Sequence, residues 1–155
     1  MAEESFSIEL EQQQDYRFLV RFDDPQVAPL VTDETPPLGG SAGPNPARLL
    51  ATAVANCLAA SLLFALRKFR NAPEPLHARA TVEIGRNAER RLRIQRIGVD
   101  LRLGTSGEEM KMLERALAQF EEFCVVTESV RGGLAVDVSV HDAQGRLIKA
   151  AGVAA

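Results

Sequence analysis

The chain has 155 residues, 46% hydrophobic and 25% charged, which fits one globular domain and excludes wholesale disorder. A net charge of -3, no Trp and one Tyr argue against a nucleic-acid surface, which needs basic charge and stacking aromatics. Two cysteines are no secreted disulfide framework, and the start MAEESFSIEL lacks the basic and apolar regions of a signal peptide, so a cytoplasmic protein is expected.

Phe6, Ile8 and Leu10 alternate with polar residues, as do Tyr16, Phe18, Val20 and Phe22. Period-2 alternation predicts two strands with one buried face each, joined by a hairpin loop over Gln12 to Asp15. Six of the eight prolines then fall between Pro25 and Pro46, which excludes a helix and predicts a long functional or disordered loop. Val27 to Val31 is the one stretch there that suits an edge strand.

Asn45-Pro46 reads as a helix start, with an Asn cap and Pro at the first helical position. The helix is expected to run to Arg70, and Leu49 to Leu66 carries no charge. That length meets the requirement for a membrane span, but Thr52, Asn56, Ser61 and many alanines favour a buried core helix. Such a helix needs cover on every side, which suggests a second subunit.

Ala78, Ala80, Val82 and Ile84 are the inward set of a further strand. In the next strand Leu92 and Ile94 are even-numbered while Ile97, Val99, Leu101 and Leu103 are odd, so a β-bulge is expected at Gln95-Arg96. Ser106 to Glu109 has the form of a capping box ahead of a helix through Met110, Leu113, Leu117 and Phe120. Leu134 to Val140 predicts a last strand, and residues 142–155 a weakly held tail to a single domain over 1–155. The class is α+β.

Cys57 lies mid-helix, where composition alone favours a small buried hydrophobe. Cys124 precedes a short helical turn whose N–H groups favour thiolate, although a capping or filler role suits it equally. His77 and His141 sit at strand ends and no CxxC or HxxxH occurs, so neither a metal site nor a cofactor is expected. Arg86, Arg90, Arg91, Arg93 and Arg96 cluster at a hairpin tip, read as a solvated turn in preference to an anion or RNA patch.

TDETPPLGGSAGPNPARLLATAVANCLAASL and FCVVTESVRGGLAVDVSV together resemble the two signatures of the OsmC/Ohr family. The resemblance runs from the first hairpin to Val140. It implies an antiparallel sheet wrapped around a long central cysteine-bearing helix in an intertwined homodimer. It also implies a thiol-dependent peroxidase that reduces organic or lipid hydroperoxides in oxidative-stress defence. Cys57 would be the peroxidatic cysteine, Cys124 the resolving one, and a dithiol, such as a lipoylated protein, the reductant.

Two positions depart from the family pattern. Ala47 stands where the family has a glutamate paired with an arginine beside the thiolate, and Val125 replaces a proline. Arg17 is the expected arginine, with Arg21 as fallback, and Asp33 and Glu34 are the loop carboxylates available to orient it. The alternative is a catalytically impaired OsmC-like protein that binds a small molecule or lipid, or senses redox state through Cys57.

Overall fold

The computed structural model describes residues 3–152, which form two compact units, residues 3–49 and 50–152. The first unit holds an antiparallel three-stranded sheet in the order β1-β2-β3: β1 (Ile8–Gln14), β2 (Arg17–Phe22) and β3 (Leu30–Thr32). The edge strand expected over Val27 to Val31 is thus displaced by a few residues and pairs with β2.

The first hairpin turns later than its polar run suggests. β1 continues through Gln14, and Asp15 takes the left-handed conformation (φ 50°) that closes a tight turn with Tyr16. β1 is also exposed on both faces, Ile8 and Leu10 included, as is Phe6 ahead of it, against the expectation of one buried face. Alternation sets which side chains share a face, but not whether anything covers it.

The second unit contains most of α1 (Pro46–Lys68), then β4 (His77–Arg86), β5 (Leu92–Arg102), α2 (Leu113–Gln119), α3 (Val125–Arg131), β6 (Ala135–His141) and β7 (Leu147–Lys149). α1 starts as the sequence predicts, with the Arg48 N–H donating to the Asn45 side-chain oxygen at 3.0 Å. It ends at Lys68, two residues early, because Arg70 turns left-handed (φ 60°) and the Asn71 side chain donates to the Leu66 carbonyl at 3.1 Å. Ala51, Val54, Ala55, Leu58, Leu62 and Leu66 form one buried stripe. The opposite face, with Phe64, is exposed, so α1 is buried on one side and not all round.

β4 and β5 pair antiparallel, and the register slips between Glu83 and Ile84, leaving Gln95 as the extra residue. That is the bulge read from the phase change. Of β4's predicted inward set, Ala80 and Val82 are half-buried while Ala78 and Ile84 are exposed. β5 and β6 are parallel, a correction to the all-antiparallel sheet expected. Parallel pairing requires a long crossover, and residues 103–134, which carry α2 and α3, supply it. The sheet order is β4-β5-β6-β7.

The core packs Val54, Leu58, Leu62 and Leu66 of α1 against Ile97, Val99 and Leu101 of β5 and Val136, Val138 and Val140 of β6, with Leu117 and Phe120. Each fully buried leucine here contributes about 1.5–3 kcal/mol.

The capping box does not form. Residues Gly107–Glu109 make a single 3-10 turn, and Ser106 accepts its hydrogen bond from Arg146 Nη2 at 3.1 Å. Arg146 also pairs with Glu108 at 2.7 Å, and the Gly107 N–H goes to the Asp142 carboxylate at 3.2 Å. The box is drawn into the β6–β7 turn, and α2 starts only at Leu113. The expected loose tail is corrected at the same place. Asp142 is fully buried, β7 pairs with β6, and Lys149 Nζ reaches the Leu117 carbonyl at 2.9 Å. Residues 153–155 lie outside the described part.

Candidate active site

Cys57 sits one position before Leu58 on α1, half-buried and packed against the core at the edge of the apolar stripe. Cys124 is fully buried and its extended backbone (φ −83°, ψ 94°) separates a 3-10 turn, Phe120–Phe123, from α3. It caps α3, so the short helix predicted after it is present. Although the two cysteines are 67 residues apart in sequence, the fold brings them to one apolar cluster, Cys124 within it and Cys57 packed against it, near enough for Cys57 to influence the Cys124 thiol. Both are free thiols.

The electrostatics of Cys124 reverse the expectation of a ready thiolate. Burial pushes its thiol up, and the neighbouring Cys57 adds to the effect. Thr127 opposes both, because its hydroxyl and its backbone N–H can donate to the thiolate; in the thiol form the hydroxyl accepts from Cys124 Sγ at 2.9 Å. The two turns of α3 do not offset loss of water around the sulfur.

The segment carrying Cys124 is clamped from both sides. Arg131 of α3 pairs with Glu121 at 2.8 Å and with Glu128 at 2.6 Å. Lys149 of β7 pairs with the other Glu121 oxygen at 3.0 Å and lies 4.8 Å from the centre of the Phe120 ring. Glu121, just before Cys124, thus holds a cation from each side. Neither this clamp nor Thr127 emerges from the sequence reading. Thr127's place three residues after a capping position was the available signal.

In the first unit, Arg17 of β2 faces Asp33, with Nε 3.8 Å from Oδ2. Asp33 is buried and accepts the N–H groups of Glu34, Gly40 and Ala42 at 2.9, 3.0 and 3.0 Å. The Ala42 N–H is the strongest influence that lowers its pKa; burial opposes it, while Gly40, Glu34 and the Arg17 charge assist. Gly39 is required where it stands, because a Cβ there would run into the Asp33 carboxylate and the Glu34 carbonyl. Arg17 and Asp33 line a pocket of about 250 Å³ with Gln14, Pro37, Leu38 and Gly40, and Arg17 Nε is buried there without a hydrogen-bond partner.

Arg21 points elsewhere, pairing with Glu11 across the exposed hairpin at 2.7 Å. Glu34 accepts from the Asn45 side chain at 3.5 Å, so Asp33, not Glu34, is the carboxylate beside Arg17. Among the described residues no three His, Cys, Asp or Glu side chains gather as metal ligands.

The arrangement is an α+β fold with two thiols meeting between a long helix and a short one. The family model for OsmC-like protein matches residues 39–139, and the chain belongs to that family. An OsmC-like protein of unknown function from Vibrio cholerae O1 biovar eltor str. N16961 has a TM-score of 0.75 at 17% identity, over 88% of this chain and 99% of that one. An organic hydroperoxide resistance protein OsmC from Legionella pneumophila has a TM-score of 0.69 at 17% identity, over 90% and 98%. The organic hydroperoxide resistance protein OhrB of Bacillus subtilis has a TM-score of 0.62 at 18% identity, over 91% and 99%. At these identities the likeness carries the fold. Among curated proteins, none matches the sequence.

Proposed function

We propose that this OsmC-like protein is a thiol-dependent peroxidase for organic or lipid hydroperoxides, with Cys57 peroxidatic and Cys124 resolving. The observation that carries the reading is the meeting of the two thiols in the core of this fold. The similar proteins of Legionella pneumophila and Bacillus subtilis are organic hydroperoxide resistance proteins, which supports the substrate class.

The Cys57 thiolate attacks the terminal peroxide oxygen, the O–O bond breaks, and the alcohol leaves with a proton, so Cys57 becomes a sulfenic acid. The Cys124 sulfur then attacks the Cys57 sulfur and water departs, leaving a disulfide that protects Cys57 from over-oxidation. A dithiol, such as a lipoylated protein, returns two electrons and two protons. Arg17 is assigned the cationic role on the family pattern. Its support is the buried, unpartnered Nε and the ionised Asp33 that orients the side chain.

A homodimer is proposed because Phe6, Ile8 and Leu10 of the first unit and Phe64 of the second are exposed apolar side chains that a second copy would cover. A cytoplasmic role in oxidative-stress defence fits thiols that must be held reduced. Ala47 and the raised Cys124 thiol favour a second reading, a slow redox sensor or a small-molecule or lipid-binding protein on the same fold.

Intact mass after one equivalent of cumene hydroperoxide separates the two. Rapid loss of two hydrogens, absent in Cys57→Ser, is expected of the peroxidase. An unchanged mass, or slow addition of oxygen alone, gives the second reading the lead.

A further inference from the structure

The Cys124 sulfur has one hydroxyl partner, and the two-cysteine scheme leaves it without a task. Thr127 is fully buried, on the first turn of α3, with Oγ1 2.9 Å from the sulfur. Its hydroxyl has no second hydrogen-bond partner among the described residues. Around the pair the walls are apolar, since Cys124 belongs to the same cluster as Leu58, Phe120 and Val136.

A hydroxyl both accepts and donates, and it rotates to suit its neighbour. In the reduced protein it accepts the thiol hydrogen. With the thiol deprotonated, the same oxygen at the same distance can turn its own hydrogen onto the sulfur. No water molecule then has to enter a dry site to solvate the charge.

We propose that Thr127 is a positioning residue for the resolving step: its hydroxyl aims the Cys124 sulfur at Cys57 and turns from acceptor to donor as that thiol loses its proton. The catalytic consequence rests on the peroxidase reading. In that step the Cys57–Cys124 S–S bond forms as the Cys57 S–O bond breaks. The Cys124 thiol proton leaves with the departing hydroxyl as water, and Thr127 has no net change in protons.

Two measurements on the full chain test this. In a Cys57→Ser background, the ultraviolet absorbance of the thiolate is followed against pH with Thr127 intact and with Thr127→Val, Thr127→Ala and Thr127→Ser. Valine removes the hydroxyl at nearly constant shape, alanine removes it with the methyl, and serine keeps it. Loss of the hydroxyl is expected to raise the Cys124 titration midpoint by about one pH unit, a roughly tenfold lower thiolate fraction, in both Thr127→Val and Thr127→Ala. Thr127→Ser restores it. Equal midpoints in the parent and the hydroxyl-free variants overturn the proposal.

With both cysteines present, Thr127→Val is expected to form disulfide about tenfold more slowly while hydroperoxide is consumed in the first turnover at the parent rate. Dimedone then traps Cys57 sulfenic acid. Disulfide formation at the parent rate overturns the role in resolution. Failure of the parent to form any disulfide defeats the peroxidase reading instead, and the titration still decides whether Thr127 controls the sulfur.

Discussion

Residues 50–152 gather Leu58, Leu62, Leu66, Ile97, Leu101, Phe120 and their neighbours into one dry core, whereas residues 3–49 bury a single aliphatic side chain, Val20. The first unit is ordered by polar contacts: the Asp33 carboxylate collects three N–H groups of its loop. The apolar unit buries Cys124 with the half-buried Cys57 packed against the same cluster, and the polar unit holds a guanidinium beside an ionised carboxylate. One aspartate breaks the division, since Asp142 in the second unit gathers the N–H groups of Gly107, Gln144 and Arg146 much as Asp33 does in the first.

The sharpest test of the contrast is Leu58→Ala, which empties a fully buried site in the second unit. A loss of about 2–5 kcal/mol is expected in urea unfolding. A loss below about 1 kcal/mol would mean that α1 is held by something other than its apolar stripe.

The exposed strip of the first unit offers the next. Joint Ile8→Thr and Leu10→Thr substitution keeps strand propensity while removing apolar surface. Sedimentation is expected to show a dimer in the parent and a shift toward monomer in the variant, with the far-ultraviolet spectrum retained. A parent that sediments as a monomer removes the dimer from the proposed function.

The smallest effect is expected from Asp142→Asn, read against pH. Burial opposes ionisation of Asp142, but the N–H groups of Arg146 and Gly107 and the Arg146 guanidinium override it and hold the pKa at about 2. The folded value lies below the unfolded one of about 4, so the carboxylate's stabilisation is complete above about pH 4 and is lost as pH falls toward 2. The parent's melting temperature is expected to exceed the variant's near neutrality, with the gap closing on acidification. A gap independent of pH would show that Asp142 acts by shape alone.

Local chemistry was readable wherever neighbours in sequence settle it. Asn45-Pro46 starts α1 because a cap and a fixed φ act within one turn. The bulge at Gln95 was visible because one extra residue reverses every later side chain in the strand. The α+β class followed from the order of strands and helices, and the family from two short motifs.

Tertiary structure decided the rest, because it depends on which partner reaches a group first. The Ser106 box is lost since Arg146, forty residues on, takes its hydroxyl. Residues 147–149 become a strand because β6 offers an unpaired edge, and β5 with β6 runs parallel because the crossover between them is long enough. Cys124 looked like a candidate thiolate at the head of a helix, yet burial raises its thiol, and burial is a property of everything folded around it. By itself the sequence determined most of the elements and the family. The approach of Cys57 to Cys124, and the burial that dries the Cys124–Thr127 pair, came only with the packing of segments far apart in the chain.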